Sequence, residues 1–341
     1  MTPDGSAISP PALLSVTGLA LTLGGSRLLD GVDLAAGRGE VVGLVGESGS
    51  GKTLTGLSVL GLAPAGSRLE GRVDYDGTDL VAGGQPAARR LRGRQISMIF
   101  QEPRSSLNPA MPVGRQITDV MRAHLTVSRR EAAAAALDLL GRVGLPDPRG
   151  CFAAYPHELS GGMCQRAMIA MALSCGPRLL IADEPTTALD VTVQAQIVSL
   201  LRSIADEQQL AILLITHNLA VVTEICDRVV TMYCGQVVAA DTTARVVAAP
   251  AHPYTWALIS AARPALPGGS GRPGERGIPE AGLAGQPANP ADPPAGCRFH
   301  PRCPFAVAEC TAAAPDLTDA AGGGQVRCLR HAELSLEGIS A

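Results

Sequence analysis

The chain has 341 residues, 46% apolar but only 3% aromatic, and a formal net charge of −3. That is ample for one large or two modest domains with a core of Ala, Val, Leu and Ile. The scarcity of stacking rings and the lack of a basic tract weigh against a nucleic-acid partner, whose phosphates need clustered Lys and Arg.

Residues 1–12 read as a loose leader without the basic-then-apolar pattern of a secretory signal. The longest apolar runs, such as 210–215, fall far short of the roughly 18 residues that span a bilayer, so the chain is expected in the cytosol. From Leu13 apolar residues recur with short polar breaks, as half-buried strands do. Val41–Val45 is wholly apolar and runs into a glycine-rich loop, the pattern of a central parallel strand feeding a helix, here expected over 53–62. Ser128 and Glu131 have capping-box spacing and open an Ala/Leu-rich helix reaching Val143. Two further apolar strands, 179–182 and 211–216, flank a helical stretch at 193–208, which implies a parallel sheet and an α/β fold. At about Pro264 the composition turns to Gly, Pro and Ala up to Gly296, as in a linker. A compact tail follows from Cys297.

GESGSGKT, comprising Gly46, Glu47, Ser48, Gly49, Ser50, Gly51, Lys52 and Thr53, fits a phosphate loop. Its glycines let backbone N–H groups turn inward at a helix start and cradle an anion. Lys52 would reach the β- and γ-phosphates, and the Thr53 hydroxyl would ligate Mg²⁺. LLIADEP (179–185) is an apolar strand ending in Asp183 and Glu184 at the sheet mouth, where ligands of such folds bind. Asp183 is expected to hold Mg²⁺ through water, and Glu184 to polarise the attacking water as general base.

LSGGM (Leu159–Met163) lies between these two elements, and with it residues 13–257 resemble the ATP-binding cassette (ABC) ATPases. The resemblance implies a phosphate-loop NTPase fold with a RecA-like core, an antiparallel β subdomain and a helical subdomain. It implies that Ser160, Gly161 and Gly162 cover ATP held by an opposite subunit. Gln101, in FQEP, would sense the metal and the attacking water. Asp190, in TALD, would lie in the loop through which subunits communicate, and His217 would contact the γ-phosphate. The family's adenine-stacking aromatic is replaced by Leu19-Ala20-Leu21-Thr22-Leu23, so aliphatic contact through Leu23 is expected at a loss of roughly 1 kcal/mol.

FQEPRSSLNPAMPVGRQI (100–117), YPHELSGGM (155–163), MIAMAL (168–173), TTALDVTVQAQI (186–197) and HPYT (252–255) resemble the D-type ATPase of di- and oligopeptide importers. That resemblance implies ATP-driven peptide uptake, two transmembrane permease subunits, an extracytoplasmic solute-binding protein, and a distinct F-type ATPase as heterodimer partner. The expected location is the cytoplasmic face of the membrane. The same subunit type serves nickel, glutathione or opine importers, and a soluble non-transport cassette is the more distant alternative.

Nine cysteines are many for a cytosolic protein, and Cys297, Cys303, Cys310 and Cys328 fall in the tail. This tail, 297–341, resembles the cysteine extension of peptide-importer ATPases, whose implied ligand is a 4Fe-4S cluster; four thiolates suit such a cluster, and zinc or free thiols are the alternatives. Arg298 and Arg302 are expected to offset the negative charge of the thiolates. With 258–296 reading as the cassette's end and a linker poor in apolar residues, the tail is expected to bury little surface, so that a metal centre cross-links what packing does not.

Overall fold

The computed structural model describes residues 12–187, 189–262 and 285–338. The leader, apart from its last residue, and most of the expected linker lie outside the described residues.

The N-terminal part forms an antiparallel sheet of β1 (Leu14–Leu23), β2 (Ser26–Ala36), β4 (Arg68–Tyr75) and β5 (Thr78–Asp79), in the order β2-β1-β4-β5. The second sheet holds β3 (Val41–Val45), β6 (Ile96–Ile99), β7 (Leu179–Asp183), β8 (Ala211–Thr216), β9 (Arg228–Tyr233), β10 (Gln236–Thr242), β11 (Thr318–Asp319) and β12 (Gln325–Val326). Its order is β11-β12-β10-β9-β3-β8-β7-β6. The strands from β9 to β6 are mutually parallel, as the apolar strand runs predict.

Those central strands are buried on both faces, which explains why they read as continuous apolar runs. Side chains alternate across the pleat. Val41, Val45, Leu180, Ala182, Ile212 and Leu214 therefore join one core with the helices. Val42, Leu44, Leu179, Ile181, Leu213 and Ile215 join the other, against the antiparallel sheet.

Helix α1 (Lys52–Val59) starts directly after the glycine-rich loop, and α2 (Gly84–Leu91) and α3 (Pro103–Ser106) flank β6 in sequence. A helical subdomain is built from α4 (Val113–His124), α5 (Arg129–Arg142), α6 (Pro148–Ala153) and α7 (Gly161–Leu173), which pack on one another. The predicted capping box is present: the Glu131 N–H donates to the Ser128 hydroxyl (3.2 Å), and the Ser128 N–H donates to the Glu131 carboxylate (2.8 Å). Four helices complete the described cassette: α8 (Val191–Gln208), α9 (Leu219–Ile225), α10 (Thr243–Ala248) and α11 (Pro253–Ala262). No helix among the described residues is long and apolar enough to cross a membrane.

The tail, with α12 (Ala308–Ala312), differs from expectation in how much it packs. Strands β12 and β11 continue the large sheet beyond β10, through Ala239 opposite Val326. Phe299 is buried against Tyr233 and Tyr254, at ring-centroid distances of 5.2 and 5.3 Å. A few large side chains inserted between cassette elements achieve what a low average hydropathy concealed.

Candidate nucleotide site

Gly46 leaves β3 at φ +152°, and a Cβ there would lie 2.2 Å from the Met232 carbonyl oxygen on β9. Only glycine fits so close to a neighbouring strand. Gly51 caps α1 from the left-handed region at φ +104°. The loop thus ends at a helix N-terminus, whose free N–H groups and dipole favour an anion. Ser48 and Gly49 are exposed at its tip, while Ser50 and Lys52 are buried. The Lys52 ammonium donates to the carbonyls of Gly46 (2.7 Å) and Glu47 (2.9 Å). Burial lowers its pKa, against the opposing pull of Glu184, Asp183 and Glu47.

Asp183 ends β7 beside this loop and is 2% exposed. Burial raises its pKa, opposed by a hydrogen bond with the Thr53 side chain and by the Lys52 charge. Its Oδ1 is buried without a hydrogen-bond partner among the described residues. A carboxylate oxygen left orphaned next to a threonine hydroxyl is the hard-oxygen donor set that Mg²⁺ takes.

Glu184 adopts φ +46°, with its N–H bonded to the Ile215 carbonyl (2.8 Å) at the end of β8. Its carboxylate meets His217 Nδ1 at 2.8 Å and accepts hydrogen bonds from the Thr187 hydroxyl (2.7 Å) and Gln101 Nε2 (3.1 Å). Burial raises its pKa, but the bonds from Thr187 and His217, together with the charge of Lys52, outweigh it and hold the group below its ordinary value. Gln101, Asp183, Glu184 and His217 thus lie at or just past the C-terminal ends of β6, β7 and β8, where parallel sheets bind ligands. Thr187 is the partner that sequence reasoning missed; its three-residue spacing from Glu184 was the available signal.

Ser160, Gly161 and Gly162 stand apart from this cluster. Ser160 caps α7 by accepting the Met163 N–H (3.3 Å), and Gly161 is exposed with open space where a Cβ would be. A Cβ on Gly162 would lie 3.2 Å from Val193, in the first turn of α8, whose cap Asp190 accepts the Val193 N–H (3.0 Å). Two helix starts therefore lie side by side. Of the segment before the loop, Leu19 and Leu21 are buried in the core, leaving Leu23 half-exposed.

The four tail thiols border one small cavity together with Phe299, Phe305 and His252. Burial raises the pKa of Cys297 and Cys328 and pushes Cys303 up to about 11, and mutual repulsion among the thiols adds to each shift. As a donor set they fit a cluster that takes four thiolates. The space between them is small, however, and among the described residues no three His, Cys, Asp or Glu side chains are grouped as a metal-ion site. The two arginines expected to neutralise them do not. Arg298 pairs with Asp30 and donates to the Cys234 carbonyl (2.6 Å), and Arg302 pairs with Glu47 (2.6 Å). Full carboxylate charges attract guanidinium groups more strongly than thiols such as Cys297, Cys303 and Cys328, whose ionisation burial disfavours.

Residues 29–187 match the family described as ABC transporter, and residues 240–310 match the oligopeptide/dipeptide transporter C-terminal region. The chain is similar to the oligopeptide transport ATP-binding protein AppD of Bacillus subtilis, with 44% identity across 91% of this chain and 92% of that protein. It is similar to the dipeptide transport ATP-binding protein DppD of Escherichia coli, with 42% identity across 93% and 96%. Among solved structures, the dimeric ATP-binding cassette MJ0796 with ADP and Pi superposes with a TM-score of 0.61 at 25% identity, covering 67% of this chain and 98% of that one.

Proposed function

The chain belongs to the ABC transporter family as an ATP-binding subunit of the peptide-importer type, and from that membership we propose that it hydrolyses ATP to drive uptake of di- or oligopeptides. The observation that carries the chemistry is the Glu184 carboxylate, fixed by Gln101, Thr187 and His217 next to Lys52, Thr53 and Asp183. In this reading residues 13–257 are the ATPase domain and 297–341 the extension. The loop Gly46–Thr53 cradles the phosphates, and Glu184, ionised at neutral pH, accepts a proton from the attacking water. His217 and Gln101 orient that carboxylate and meet the γ-phosphate side of the site. Thr53 and Asp183, with Gln101 nearby, would hold Mg²⁺, which would supply charge neutralisation on the phosphates.

Transmembrane permease subunits are the partners of such an ATPase. The exposed start of α7 at Ser160–Gly162 suits ATP held by a second ATPase subunit, since it offers unshielded N–H groups. Val191, 82% exposed beside Asp190, suits a surface that this partner covers. The finer assignment is an F-type partner in a heterodimer, a solute-binding protein outside the membrane, and a peripheral position on its cytoplasmic face.

Cys297, Cys303, Cys310 and Cys328 would hold a 4Fe-4S cluster, which supplies a cross-link rather than catalysis. The four thiols bordering one cavity are the observation that supports that reading.

Cargo is tested by uptake of labelled di- and tripeptides in cells whose copy of this chain is deleted. Uptake is expected to be lost, to return with the wild-type chain, and to stay absent with Lys52→Ala. Unchanged peptide uptake with lost nickel or glutathione uptake would move the assignment to another cargo.

A further inference from the structure

The extension reaches the nucleotide loop itself. The Arg302 side chain is 5% exposed and grips Glu47, the second residue of the loop, with both guanidinium arms, Nη1 to Oε2 at 2.6 Å and Nη2 to Oε1 at 3.0 Å. Its guanidinium also lies over the Tyr233 ring, 5.8 Å from the centroid. The Glu47 N–H donates to the Tyr254 hydroxyl (2.8 Å), so this amide is turned toward α11. A second contact runs through the turn between β9 and β10. There the Gly235 N–H donates to the Ser50 carbonyl (3.0 Å) of the loop, while Arg298 of the extension holds the Cys234 carbonyl (2.6 Å).

We propose that Arg302 is a positioning residue of the nucleotide site, a buried strut by which the C-terminal extension neutralises Glu47 and fixes the phosphate loop for ATP. This rests on the reading of Gly46–Thr53 as the nucleotide site. The physical reason is charge. A loop that receives a polyanion carries a carboxylate of its own, and without a partner that carboxylate repels the phosphates from within a partly desolvated surface. A bidentate, shielded guanidinium cancels it and also sets the direction of the Glu47 backbone. Lysine keeps the charge but lacks the fork. ATP affinity therefore depends on a segment some 250 residues away in sequence, separated from the loop by most of the cassette.

The experiment is calorimetric titration of the full chain with MgATP and MgADP. Arg302→Ala is expected to weaken MgATP about tenfold and Arg302→Lys by a smaller factor, because the first loses the whole charge-assisted bidentate pair and the second only its fork. In a Glu47→Gln background the repelling charge is absent, so adding Arg302→Ala is expected to cost less than about threefold further. A purely structural role predicts the opposite, an equal loss in both backgrounds. The proposal is overturned if Arg302→Ala binds MgATP like the wild type, or if the loss is undiminished in the Glu47→Gln background. Should Arg302→Ala fail to fold, the same cycle is run with Arg302→Lys and the same criteria apply. Failure of the underlying site reading is separable: there the wild type does not bind MgATP, or Lys52→Ala binds it equally well.

Discussion

Replacing Gly46 with alanine isolates the demand that the phosphate loop makes on its backbone. Two costs are combined at this position. A side chain at φ +152° strains the backbone, and the new Cβ would lie 2.2 Å from the Met232 carbonyl oxygen and 2.8 Å from Ser50 Oγ. The first distance is more than 1 Å short of ordinary contact, and the obstacle is the backbone of β9, a central strand that has little room to retreat. The loop must move instead. Gly66 serves as the control, since at φ +80° it has the strain but nothing within 4 Å of the place a Cβ would take, and it lies in the connection between α1 and β4. Gly66→Ala is expected to cost about 1 kcal/mol in urea unfolding and to leave nucleotide binding intact. Gly46→Ala should incur a similar strain and also displace the loop by roughly 1 Å; a misplacement of that size costs about 100-fold in the rate of a positioned active site, and a clear loss of MgATP affinity is expected with it. Unfolding curves and MgATP titrations on both variants measure the two costs separately. MgATP binding by Gly46→Ala within threefold of wild type would show that the loop accommodates the side chain without moving.

Phe299→Ala removes a buried ring from the contact with Tyr233 and Tyr254 and should lower stability by roughly 3–5 kcal/mol, read as a shift in the urea midpoint. A tail that buried little would give a change below about 1 kcal/mol. Burial lowers the pKa of Lys52 beneath its ordinary 10.5, so the free site loses its cation earlier as pH rises than an ordinary lysine would. The affinity for MgATP should therefore fall with a midpoint below pH 10.5, and a midpoint at or above that pH would contradict the shift. Protein purified without oxygen should carry iron and visible absorbance that Cys303→Ser with Cys310→Ser removes; unchanged iron and absorbance would rule out these thiols as ligands.

The central strands were legible because burial on both faces leaves no polar residue in Val41–Val45 and only the terminal Thr216 in Ala211–Thr216. Helix α5 was legible because its cap is local, Ser128 answering Glu131 within one turn. The glycine-rich loop, Asp183 and Glu184 were legible as residue types at fixed positions beside strand ends. What joins them was not. Two of the partners of Glu184, Gln101 and His217, come from separate stretches of chain, and their convergence is a product of the parallel sheet order, whereas Thr187 is a local neighbour. The docking of the tail escaped composition for a related reason. Strand β12 has only two residues, too short for a periodic signal, and Arg298 and Arg302 find carboxylates at Asp30 and Glu47 near the other end of the chain. Local composition carries no record of such partners, which is why neighbouring thiols looked like their natural counter-charges.

ATP turnover of the assembled transporter carrying Glu184→Gln tests the central claim most directly. The variant keeps the shape and the hydrogen bonds to Thr187 and Gln101 within reach but cannot accept a proton, and general-base catalysis contributes about 100- to 10,000-fold. MgATP binding should persist while turnover falls by about that factor. Turnover at the wild-type rate, with binding intact, would show that Glu184 is not the base around which this site is built.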